Sequence, residues 1–120
     1  MTVLAVQSGA KPVKLELEGT LKSMQDFVGG TIQALYPFDD AVAIICNDEG
    51  KLNGMKYNRA LRNEDGEVID ILCGSFFVCG LGEEDFTSLS AEQLETYYKV
   101  FEHPEVFLAV AGHLVVVPVR

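Results

Sequence analysis

The spacing of apolar runs limits the fold more than any other feature of the chain. Short runs recur along its length: Thr2–Val6, Ile32–Tyr36, Ala41–Cys46, Val68–Leu72, Ser75–Leu81, Val106–Ala111 and Leu114–Val119. Runs of this length, bounded by Gly, Pro, Asn or Asp, read as strands. Parallel strands need a crossover of a dozen residues or more, usually a helix, and these strands lie too close together for repeated right-handed units of that kind. The expected fold is therefore α+β: a mostly antiparallel sheet with two short helices packed on it, on one face. With 120 residues, 48% of them hydrophobic, the chain can bury one core but not two, so residues 1–120 are expected to form a single domain.

Local patterns sharpen this outline. The run VLAV, the turn QSGAK, and the alternation of Val13, Leu15 and Leu17 with Lys14, Glu16 and Glu18 predict an N-terminal hairpin with one wet face. Thr20 can cap a helix carrying Leu21, Met24, Phe27 and Val28 on one stripe, which Gly29-Gly30 would stop. Strands follow over Ile32–Tyr36 and Ala41–Cys46, separated by the turn residues PFDD. Asn47–Glu67 changes character, with three glycines, four asparagines and many charges. It is expected to run as loops, with one short turn of helix near Asn58–Leu61. Val68–Leu72 and Ser75–Leu81 are expected to be consecutive pieces of one strand, bent or bulged at Gly74.

The strongest local signal is a helix that starts after Ser90. Ser90 and Gln93 form a capping box, and Leu89 with Leu94 a hydrophobic staple. Leu94, Tyr97, Tyr98 and Phe101 recur at helical spacing, and the helix should stop near Glu102, before Pro104. Tyr97 and Tyr98 are adjacent, so one should be buried and the other should lie at the edge. The chain closes with a hairpin whose turn is expected at Gly112-His113, as type II′.

Charge and cysteine usage exclude several function classes. Eighteen acidic and nine basic residues give a formal net charge of −9. Such a balance disfavours non-specific contact with nucleic acid or anionic membranes. Cys46, Cys73 and Cys79 form no CxxC pair and are odd in number, which argues for buried free thiols over a zinc site or a disulfide scaffold. No basic stretch precedes an apolar one at the N-terminus, so no signal peptide is expected. Val106–Val119 is too short to span a membrane and is broken by Gly112, His113 and Pro118. A cytoplasmic protein with no membrane contact is the expectation.

The ordered set of a helix ending in VGG, then AIICNDEGKLNG, YNRAL, GEVIDILCGSFFVCG and EDFTSLSAEQLETYY resembles a family of small uncharacterised proteins known only as a domain of unknown function. They are encoded in bacteria, often on phages and on conjugative or integrative elements. The resemblance covers Met1 to about Phe107. It implies no reaction, ligand or catalytic residue, and its mobile-element setting implies a regulatory, anti-defence or accessory role. It implies a shared surface over Asn47, Gly50, Lys51, Leu52, Gly54 and Asn58 to Leu61, then Gly74, Phe76, Gly80, Asp85 and Phe86.

No segment carries a specific catalytic signature. Gly50-Lys51 lacks the upstream glycine and the following hydroxyl of a phosphate loop. Asn63, Asp65 and Gly66 echo a calcium loop whose first and last ligand positions would be Leu61 and Leu72, neither of which can ligate. His103 has a helix-end reading and His113 a turn reading. What remains is the central segment, where Lys51, Lys56, Arg59 and Arg62 fall within twelve positions among the four asparagines. Asn47, Lys51, Asn58 and Arg59 are the candidate residues there, either to hold a small anion through the arginine fork or to organise the loop. Asp85, in the loop GLGEEDFTS, is the remaining candidate. With no cofactor or metal implied, the expected function is a non-catalytic binding or regulatory domain whose partner is another protein. The alternatives are a small-molecule or anion-binding domain or enzyme using the central loop, and an acidic mimic of nucleic acid.

Overall fold

The computed structural model describes Met1–Arg120 and confirms an α+β fold built on antiparallel strand pairs. Strands β1 (Thr2–Val6), β2 (Val13–Glu16), β3 (Ile32–Leu35), β4 (Val42–Asn47) and β7 (Phe76–Leu81) form the main sheet in the order β2-β1-β7-β4-β3. The two-residue strand β8 (Phe86–Thr87) pairs with the end of β7. Helix α1 (Leu21–Val28) follows the first hairpin, and helix α2 (Ala91–Phe101) follows β8. Two further hairpins stand apart: β5 (Tyr57–Arg62) with β6 (Val68–Cys73), and β9 (Glu105–Val110) with β10 (His113–Pro118).

The two helices lie on opposite faces of the sheet, not on one. In a strand, successive side chains point to opposite faces. Val3, Ala43, Ile45, Phe77 and Cys79 accordingly pack with Met24 and Val28 of α1. Their neighbours Leu4, Val6, Val42, Ile44, Cys46, Phe76 and Val78 pack with Tyr97 and Phe101 of α2 and with Leu61 and Leu72 of the β5–β6 hairpin. The sheet is thus a filled middle layer. Its central strands are apolar apart from Thr2 and Asn47 at two strand ends, because both faces are covered.

Both helices begin and end where their caps place them. The Thr20 hydroxyl accepts from the Ser23 amide at 3.2 Å, and Gly29 closes α1 at φ +80°. Leu21, at the start of the stripe, stays exposed. Ser90 and Gln93 complete the capping box of α2, with bonds of 3.1 and 3.0 Å. Tyr97 is buried while Tyr98 lies at the margin of the core. The Tyr97 hydroxyl donates to the Asp40 carboxylate at 2.7 Å, which ties α2 to the β3–β4 turn.

Three further expectations are corrected. Asn58–Leu61 is not a helical turn in a long loop but part of strand β5, paired with β6 through two register shifts. β6 and β7 are not pieces of one strand. Gly74, at φ +78°, turns the chain between them, and they enter different sheets because β7 pairs with β1 and β4. The C-terminal turn is Ala111-Gly112, with φ +50° and +79°, between the paired residues Val110 and His113. Two positive φ values in a two-residue loop make a type I′ turn, not type II′.

Candidate functional site

The candidate residues divide among three places. Asn58 and Arg59 are fully buried on β5. The Asn58 amide donates to the carbonyls of Val6 (2.9 Å) and Gly74 (2.8 Å), so it latches β5 to β1 and to the β6–β7 turn. Every nitrogen of the Arg59 guanidinium is engaged inside the protein. Nε and Nη2 donate to the carbonyl of Phe101 at 3.1 and 3.0 Å, at the C-terminal end of α2 where a cation is favoured. Nη2 also donates to the Ala10 carbonyl at 2.6 Å, and Nη1 donates to Asn58 Oδ1 at 2.9 Å. Burial lowers the pKa of this guanidinium and nearby Glu105 opposes the shift. With its donors committed, the fork has none to offer an external carboxylate or phosphate.

Asn47 and Lys51 lie in a surface cleft of about 350 Å³ between β4, β6 and the turn that follows β4. The Asn47 amide donates to the Val28 carbonyl at 3.1 Å and its oxygen accepts from the Glu49 amide at 2.8 Å. Gly30 makes room for that side chain, because a Cβ there would sit 2.9 Å from Asn47 Nδ2. Lys51 forms an ion pair of 2.5 Å with Asp70. Cys46 and Cys73 lie on the cleft wall, and Gly50 lets the turn close over the Cys73 carbonyl. Burial, reinforced by Asp70 and Asp48, pushes the Cys46 thiol up to about 11, and burial raises Cys73 as well. A thiol with a raised pKa is a poor nucleophile at neutral pH. Asp48, Glu49 and Asp70 outnumber Lys51 around the cleft, so its field disfavours an anion.

Asp85 lies elsewhere, in a depression with Tyr36, Leu81 and Glu84. Its carboxylate accepts from the Phe86 amide at 2.7 Å. No group of three or more His, Cys, Asp or Glu side chains is placed to hold a metal ion, and no helix is long and apolar enough to cross a membrane.

The feature that sequence reasoning missed is the surface of the C-terminal hairpin. The paired residues Val106 and Val117, Leu108 and Val115, and Val110 and His113 share one face of the ribbon. Its five aliphatic side chains are 39 to 52% exposed. The opposite face carries Phe107 and Val116, which are partly covered, and the Phe107 ring lies edge-on to Tyr57 at 5.3 Å. The root is fixed by Glu105, whose carboxylate accepts from the Ala60 amide at 2.9 Å and pairs with Arg62 at 2.7 Å. From Leu108 to Val115 every residue is exposed. The signal was present in the sequence: both parities of VFLAV and LVVVPV are apolar, and a solvated hairpin should alternate.

A family model described as Domain of unknown function (DUF3846) matches residues 1–102, and the chain belongs to that family. The matched span holds the main sheet, both helices and the β5–β6 hairpin, and it ends before β9. No curated protein and no solved structure matches the chain.

Proposed function

We propose that this member of a family of unknown function is a non-catalytic protein-binding module, with the outward face of the β9–β10 hairpin as its contact surface. One observation carries the reading: Val106, Leu108, Val110, Val115 and Val117 form a continuous aliphatic face on a two-stranded ribbon. A lone hairpin is marginal in water, and apolar surface without a cover marks a contact site. The polar groups that could hold a small ligand support the reading from the other side. Arg59 and Asn58 are committed to internal carbonyls, and the Lys51 charge is taken by Asp70. An accessory or regulatory protein of a mobile element would act through contacts of this kind.

The test is retention of a host protein by purified wild-type protein and by the Leu108→Lys variant. A stoichiometric partner held by the wild type and lost by the variant is expected. Equal retention by both would remove the hairpin from the role.

A further inference from the structure

We propose that β3, the open outer edge of the main sheet, accepts an extended basic segment of another protein as an added strand. The proposal is independent of the hairpin reading, since it uses a different edge and selects its partner by charge.

The backbone of β3 shows which groups are free. The Asp48 amide donates to the Thr31 carbonyl at 2.9 Å, and bonded pairs alternate along an antiparallel ladder. In the register Ile32↔Asn47 to Leu35↔Ile44, Gln33 and Leu35 therefore turn their backbone groups toward β4. Ile32 and Ala34 turn theirs outward. β3 is the last strand of the sheet, and no other backbone group takes these outward donors and acceptors. Such an edge is a template for another strand. The opposite edge of the sheet, β2, carries Lys14 and Glu16 in its own sequence, and charges of this kind resist pairing. β3 reads IQAL and carries none.

The flanks of this edge select its occupant. Leu35 packs on the α2 side, and Ile32 and Ala34 on the α1 side. On the α2 side, Gln33 and Leu35 border the cleft that holds Asp48 and Glu49. On the α1 side, Tyr36 borders the depression of about 280 Å³ that holds Glu84 and Asp85. These four carboxylates are exposed and none of them forms an ion pair. Lys51, the cation of the α2-side cleft, is already taken by Asp70.

Side chains of an added strand alternate between the two faces. Asp48 lies beyond Asn47, opposite Ile32 at one end of β3, and Tyr36 follows the other end. A segment with a lysine or arginine at each end, on opposite faces, therefore meets Asp48 and Glu49 with one and Glu84 and Asp85 with the other. The same carboxylates repel a second copy of a chain that carries −9. A hexapeptide extends about 20 Å and covers much less than the ~800 Å² that each partner gives to a standard interface. Binding should therefore reverse readily, and salt should weaken it by screening the exposed charges.

Titration of the full chain with the hexapeptide Lys-Thr-Val-Thr-Val-Lys tests the proposal, read by fluorescence anisotropy of the labelled peptide and by amide exchange of the protein. Saturable binding is expected, with the Ile32 and Ala34 amides protected. The peptide Glu-Thr-Val-Thr-Val-Glu should not bind. The Glu49→Lys, Glu84→Lys double variant changes only exposed positions and should bind the lysine peptide about tenfold more weakly, because each reversal removes an attraction and adds a repulsion. Methylation of alternate peptide nitrogens removes ladder donors while keeping every side chain, and one of the two alternate sets should abolish binding. Absence of binding at millimolar peptide, binding that leaves Ile32 and Ala34 unprotected, or binding indifferent to both methylation sets overturns the proposal. Leu108→Lys should bind the hexapeptide as the wild type does. Loss of binding in that variant would move the peptide to the hairpin and overturn the assignment to β3.

Discussion

At the scale of single residues, Arg59 shows how a side chain that looks like a ligand-binding group can instead hold a fold together. It is 1% exposed, and its donors reach carbonyls of Ala10, Asn58 and Phe101, two of which are more than forty residues away in sequence. Removing it would strand those acceptors in the interior. Arg59→Ala is therefore expected to cost about 3–5 kcal/mol of stability in urea unfolding. A loss below about 0.5 kcal/mol, the usual size of a surface change, would show that the interior does not depend on it. Arg59→Lys should rescue only part of the loss, because an ammonium cannot reproduce the planar fork. None of this was readable from Asn58-Arg59 as a dipeptide. The partners that bury the pair come from β1, the β1–β2 turn and the end of α2, and no local pattern announces them.

At the scale of elements, legibility follows the range of the forces that define each one. Helix α2 was readable to its boundaries because its cap, staple, stripe and terminator all act within a few residues of it. Ser90→Ala should accordingly cost roughly 1 kcal/mol, and Phe101→Ala about 3–5 kcal/mol, because that ring is buried against Phe76 and Phe38. Leu94 is only partly buried, so Leu94→Ala should cost less than Phe101→Ala in the same urea titration. Strand β5 was not readable. Its segment YNRALR does not alternate, because Asn58 through Leu61 are all buried and two of those residues are polar. The β6–β7 break was equally hidden, since its cause is the pairing of β7 with the distant strands β1 and β4. The C-terminal turn lies between these cases. A two-residue loop was legible, but its position was set by the register of the strands. That register places Ala111 at φ +50°, a conformation that costs a residue with a Cβ about 1 kcal/mol or more. Ala111→Asn, giving the Asn-Gly pair that type I′ turns favour, should slow amide exchange across β9 and β10. Unchanged exchange would mean that the turn does not limit the hairpin's stability.

At the scale of the whole molecule, the sheet has two covered faces, and each holds a thiol whose ionisation is suppressed. Cys46 faces the α2 side and Cys79 the α1 side. Burial is the main cause in both, pushing Cys46 up to about 11 and Cys79 to about 12 from an ordinary value of 9.0. Tyr97 is raised too, by burial and then by its bond to Asp40. These shifts have one sign. Above pH 9 the unfolded chain loses thiol protons that the folded chain keeps, so the unfolded state binds fewer protons and stability falls as pH rises. The contribution is complete below pH 9 and is lost progressively as pH climbs through the folded values. By about pH 10 each thiol should have withdrawn about 1 kcal/mol. Urea midpoints measured from about pH 8 to about pH 10 should therefore decline. The decline has a second source, since a protein already at −9 repels itself more strongly as its negative charge grows. The Cys46→Ala, Cys79→Ala double variant separates the two. It will start from a lower midpoint because it leaves cavities on both faces, so its slope with pH is the informative quantity. A shallower slope than wild type assigns alkaline loss to the buried thiols, and an equal slope assigns it to surface charge and Tyr97.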